Sequence, residues 1–124
     1  MTFAAMLHEI VEGCSGVIGA ALMGNDGVPI DEVIAEDAWE GGLGDEIGNA
    51  GVEFGRILDE IRKASDAMSA GAMHETVIVL ARFTLVFRSV DAETFLVVIL
   101  SPDGNLGKAR YLMRKQLHAI RQEL

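Results

Sequence analysis

The sequence predicts an α+β fold, a five-stranded antiparallel sheet in the order 2-1-5-4-3 with helices on either side. Three observations carry this. The apolar periodicity runs helix, two strands, helix, three strands, helix. Phe95-Leu96-Val97-Val98-Ile99-Leu100 is apolar at every position, which marks a strand covered on both faces and therefore central. The last three strands are joined only by Ala81-Arg82 and Asp91-Ala92-Glu93, links short enough to require antiparallel neighbours. Residues 74–80 then lie two places from the centre, and the first hairpin joins on the free side. With 124 residues, the expectation is a single domain over 1–124 with one sheet and its cover.

Each element has its own signature. Phe3, Met6, Leu7, Ile10, Val11 and Cys14 recur at helical spacing, so residues 2–14 read as an amphipathic helix with Thr2 as N-cap and Gly13 or Gly16 as stop. Residues 17–23 read as a strand. Gly24-Asn25-Asp26-Gly27 is a hairpin turn, because these residue types tolerate the positive φ that tight turns need. Residues 28–34 form the return strand. Pro29 cannot donate to a ladder, which places that strand at an edge, where Asp31 and Glu32 also fit. An acidic, Gly-rich loop over 35–44 carries the lone Trp39. The long helix, 45–69, shows the cleanest stripe in the chain: Ile47, Ala50, Gly51, Phe54, Leu58, Ile61, Ala64 and Met68. Strands follow at 74–80, 83–90 and 94–101, rich in Val, Ile, Leu, Phe and Thr. Pro102-Asp103-Gly104-Asn105 then turns into a last helix, 107–123, with the stripe Leu106, Ala109, Met113, Leu117, Ile120 and Leu124.

Composition narrows the function. The net charge of −9 makes nucleic acid and anionic membrane poor partners, and no apolar run is long enough to insert in a bilayer. Cys14 is the only cysteine, so no disulfide forms within the chain and a reducing cytoplasm is the expected home. The N-terminus lacks the basic segment of a signal peptide. Residues 1–55 hold eleven acids and no Lys or Arg, whereas five bases fall between Lys108 and Arg121. That polarity either steers charged protein partners or serves solubility alone.

The two edges differ. Against the guarded strand 28–34, the opposite edge contains Thr76, Val77, Ile78 and Val79 with no proline, lysine or arginine, and such an edge invites pairing with another chain. On the long helix, Gly44/Gly48 and Gly51/Gly55 are each four apart. Bare backbone there admits either the backbone of a second copy or the helix's own sheet. Trp39, Arg56 and Lys63 are candidate partner contacts, with Trp39 serving as an interface anchor or as a cap on the sheet end.

Catalytic chemistry finds little support. Gly42-Leu43-Gly44 with Gly48 misses the spacing of a dinucleotide fingerprint and lacks the Gly-Lys-Ser/Thr of a P-loop. Asp31, Glu32, Glu36, Asp37 and Glu40 lack the alternation of a calcium loop. His8, His74 and His118 fall on three elements without ligand spacing. Cys14 lies on an apolar stripe and reads as an inert core thiol. Arg56, Arg82 and Arg88 could each serve in trans beside a nucleotide, but read equally as surface arginines. The basic last helix presents an interaction face or a solvated one. No enzyme activity, cofactor or metal is expected.

Two stretches resemble a known family: the hairpin Gly16–Gly27 with its loop and long second helix, and Phe95–Arg110, where an apolar strand, a polar turn, Leu106-Gly107 and Arg110 succeed one another. On these the chain resembles the roadblock / dynein light chain family, and within it the bacterial MglB-type regulators of a Ras-like GTPase. The resemblance implies that the long helix covers one face of the sheet and the two terminal helices the other. It also implies a homodimer that joins equivalent edge strands (His74–Leu80 here) beside paired second helices (Asp45–Ser69 here). The implied partner is a Ras-like small GTPase, scaffolded or stimulated in GTP hydrolysis without an inserted arginine. The alternative is a small-molecule-sensing or adaptor module without GTPase contact.

Overall fold

The computed structural model describes residues 2–36 and 44–124. The elements in chain order are α1 (Phe3–Gly13), β1 (Val17–Gly24), β2 (Pro29–Ile34), α2 (Gly44–Ala67), β3 (Glu75–Val79), β4 (Thr84–Ser89), β5 (Thr94–Leu100) and α3 (Leu106–Glu123). The five strands form one antiparallel sheet in the order β2-β1-β5-β4-β3, as the sequence predicts. Helix and strand ends fall within one or two residues of the expected ones. Both terminal helices begin where a side chain satisfies a free amide: the Thr2 hydroxyl accepts from the amide of Ala5 at 3.1 Å, and the Asn105 carbonyl from that of Lys108 at 3.0 Å.

β5 is buried along its whole length. Its side chains alternate between two cores, and that alternation sorts the helices. Leu96, Val98 and Leu100 meet Met6, Leu7 and Ile10 of α1 and Ala109, Met113 and Ile120 of α3. Phe95, Val97 and Ile99 face the other way, toward Leu58 of α2. On that side Phe54, Phe87 and Phe95 form a chain of tilted rings with centroids 6.1 and 5.8 Å apart. The sheet is therefore sandwiched between the long helix and the two terminal helices. A register shift between Val17 and Gly19 moves β1 from one face to the other, so that Val17 and Ala20 share the first core while Ile18 and Ala21 share the second.

The stripes of two helices are less covered than their periodicity predicts. Along α2, Gly51, Gly55 and Leu58 are buried and Phe54 is half-buried, but Ile61, Ala64 and Met68 are exposed, Met68 at 78%. In that half of the helix the positions turned toward the sheet are Arg62 and Ser65, which are half-buried, and the apolar stripe has moved round to the flank. At the C-terminus, Leu124 is exposed, while Gln116, absent from the predicted stripe, is buried and donates to the carboxylate of Glu9 on α1.

β3 is tied down from the last helix. Arg110 Nε and Nη2 reach the two carboxylate oxygens of Glu75 at 2.6 and 3.0 Å, and Arg88 Nη1 joins at 3.3 Å. The Arg110 hydrogen bond, reinforced by the charges of Arg110, Arg88 and Arg114, holds the Glu75 carboxyl below the ordinary carboxylate range against an opposing effect of burial. At the opposite edge β2 is blunted. Pro29 has no amide, and the Asp31 carboxylate takes the amide of Glu32 at 2.9 Å. That amide would otherwise point outward, because the bonds Ala35 N to Ile18 O and Gly24 N to Val28 O set the alternation of the ladder.

Leu58 is the large α2 side chain most deeply buried among the described residues. Leu58→Ala is expected to cost about 2–5 kcal/mol, read from urea unfolding. Glu75→Gln at pH 7 is expected to lower the melting temperature by about 3–6 °C. A carboxyl whose folded pKa is depressed stabilises above its unfolded value and loses that contribution as pH falls through the folded one. The gap between wild type and variant should therefore close below about pH 4.

Candidate interaction surface

β3 pairs with β4 alone among the described residues. The bonds Ser89 N to His74 O and Leu80 N to Phe83 O bracket this ladder, and antiparallel alternation then turns the backbone groups of Glu75, Val77 and Val79 away from β4. Of the four edge residues singled out in the sequence, Thr76 and Ile78 point to the α2 side and are partly covered. Val77 and Val79 point to the α3 side and are exposed, Val79 at 72%. Leu80 continues the exposed run.

α2 contributes a second apolar surface. Besides Ile61 and Met68, both Val52 and Ile57 are exposed, although neither lies on the stripe seen in the sequence. Ile57, Ile61 and Met68 lie along one flank of the helix, whereas Val52 lies on the other, beside Gly27 of the β1–β2 turn. Exposed apolar positions that stand together are candidates for a docking surface.

The helix glycines separate by their surroundings. A Cβ on Gly51 would lie 1.9 Å from Met23 Sδ, so this glycine lets α2 sit close on β1. Gly55 also faces the sheet, with Phe95 nearest at 3.9 Å. Gly48 meets nothing within 4 Å. Intrachain packing, one of the two readings left open by the sequence, is what the geometry shows at Gly51.

The candidate partner contacts are scattered. Arg56 is exposed and bonded to Glu53 at 3.2 Å. Lys63 is exposed between Asp59 and Glu60 at 3.5 and 3.3 Å, and the hydrogen bond to Glu60 leads the effects that raise its pKa. Trp39, Asp37 and Glu40 lie outside the described residues. Arg82 stacks over Phe83 at 5.3 Å from the ring centroid, and Arg88 is engaged by Glu75. Neither resembles a finger reaching free of the fold. Cys14 is buried, its thiol directed at the Asn105 carbonyl at 3.4 Å. His8 pairs with Glu12 one helical turn away. Among the described residues no three His, Cys, Asp or Glu side chains gather as a metal site, and no helix is long and apolar enough to cross a membrane. Glu75 was missed by sequence reasoning. Its charge in an apolar strand was the available signal, and its partner Arg110 stands 35 residues further along the chain.

Comparison with solved structures draws these features together. The roadblock/LC7 domain from Streptomyces avermitilis superposes with a TM-score of 0.83 over 99% of this chain and 98% of that one, at 14% identity. MglC from Myxococcus xanthus matches over the full length of both chains at 28% identity, with a TM-score of 0.76. The gliding protein MglB from Thermus thermophilus matches over 95% of this chain and 84% of its own, with a TM-score of 0.82 and 14% identity. No protein-family model and no curated protein matches the sequence. The likeness is one of architecture along 95% or more of this chain. On that ground the resemblance read from the sequence holds: the chain folds as a roadblock domain, similar to the Mgl proteins.

Proposed function

We propose that this chain is a non-enzymatic regulatory or scaffolding protein, a single roadblock-like domain over 1–124 that forms a homodimer and binds a Ras-like small GTPase. The observation that carries the reading is the outward backbone of Glu75, Val77 and Val79 beside the exposed apolar side chains of β3 and α2. A second copy placed against this edge would extend the sheet to ten strands and cover Val77 and Val79. The second helices would run beside each other, with Ile57, Ile61 and Met68 between them, and Gly48 lies on the opposite flank of the helix. The similarity to MglC and MglB supports the assignment to this type of regulator. Trp39, Arg56 and Lys63 remain the candidate contacts for the GTPase. Stimulated hydrolysis, where it occurs, would act by repositioning the GTPase's own groups. The single, buried cysteine suits a cytoplasmic setting.

Light scattering on the wild type should give a dimer, and Val77→Lys/Val79→Lys a folded monomer. A monomeric wild type at high concentration removes the reading. Gly48→Ala should raise the stability of the chain by about 0.5–1 kcal/mol through helix propensity, whereas Gly51→Ala should lose about 1–2 kcal/mol through collision with Met23, both read from urea unfolding. Capture experiments with a Ras-like GTPase loaded with GDP or GTP should show binding that depends on the nucleotide. Absence of binding in both states overturns the GTPase assignment and leaves the dimer standing.

A further inference from the structure

A cleft of about 600 Å³ opens where the C-terminal half of α2, the approach to β3, the β4–β5 turn and the end of α3 converge. It lies in a protein of net charge −9, yet three of its lining residues are arginines: Arg62, Arg88 and Arg121. His74, Asp66 and Asp91 also line it. The arginines are unequally engaged. Arg121 Nε donates to the Val90 carbonyl at 2.6 Å, and Arg88 Nη1 donates to Glu75 at 3.3 Å. Arg62 Nη2 and Arg88 Nε, however, are buried and have no hydrogen-bond partner among the described residues.

Neither local acid answers them. Asp66 stands one turn beyond Arg62 on the same helix and leaves Arg62 Nη2 without an acceptor, and Asp91 Oδ1 is occupied by the amide of Glu93 at 2.9 Å. A guanidinium N–H withdrawn from water and left without an acceptor is unfavourable, and native proteins satisfy such groups with a bound water or ion. Two of them, on separate elements lining one concave surface, are donors of the kind with which arginine grips oxyanions.

We propose that this cleft binds a small oxyanion, a carboxylate or phosphoryl group, with Arg62 and Arg88 as its principal donors and Arg121 completing the positive wall. Asp66 and Asp91 restrict the site to a ligand whose anionic group is compact. This proposal requires neither the dimer nor the GTPase. It would add a ligand-responsive site on the helix that carries part of the uncovered apolar surface, next to the start of β3.

The test is isothermal titration calorimetry of the full chain at constant ionic strength, with inorganic phosphate and citrate as separate probes and sodium chloride as the control. Saturable binding of one or both probes, near one site per chain, is expected below about 10 mM. Preference for phosphate assigns a phosphoryl ligand, and preference for citrate a carboxylate. Arg62→Gln leaves the Glu75–Arg88–Arg110 contacts intact, so its melting temperature in chloride should match wild type while affinity falls about tenfold or more. Arg88→Gln should weaken binding as well, with circular dichroism confirming its fold. No saturable binding by either probe, or binding undiminished in both variants, overturns the proposal.

Discussion

The burial of β5 on both faces is the constraint from which the rest of the molecule follows. A strand of seven consecutive buried residues needs a neighbour on each side for its backbone and a layer above and below for its side chains. β1 and β4 supply the hydrogen bonds, α1 with α3 supply one layer, and α2 supplies the other. Everything peripheral is placed by this demand. β2 and β3 become edges because they pair only with the strands that flank the centre. α2 must bridge from one edge of the sheet to the other, and over its 24 residues the apolar stripe drifts off the sheet-facing side. That drift leaves apolar groups exposed near its end.

The two layers are unequal. Two helices share the first core, contributing several fully buried side chains each, and they are joined by Gln116 and Glu9. Among the described residues the second core has one helix, with Leu58 and the ring chain as its main contacts. Gly51 allows close approach at one point, at the cost of helix propensity. The better-held layer also fixes β3, because Arg110 of α3 grips Glu75 at the strand's first residue. The edge is thus ordered without being covered.

Much of this architecture was legible in the sequence because it rests on periodicity and punctuation. Phe95–Leu100 announced the centre, Pro29 announced one edge, and short links announced the meander. What was not legible depended on where surfaces end. The apolar stripe of α2 runs unbroken to Met68, but periodicity does not say which flank of it the sheet covers. The glycines posed the same difficulty. Spacing marked Gly48, Gly51 and Gly55 alike, and only the position of Met23 distinguished Gly51 from Gly48. The arginine cleft was hidden more completely, since Arg62, Arg88 and Arg121 come from three elements and meet only through topology. Glu75 was hidden for a related reason: one acid in an apolar strand gains meaning only when its distant partner is placed beside it.

The asymmetry between the two rims of the sheet bears on how large any assembly built on it can grow. β3 offers its outward carbonyls and amides freely, whereas β2 has a proline where one amide would be and a carboxylate folded over another. A copy that joined through β3 would present its guarded rim on the far side, where a further strand would find fewer free amides. A sheet with one adhesive margin limits itself: symmetric pairing would consume both adhesive margins at once and leave only guarded rims from which a fibre could propagate.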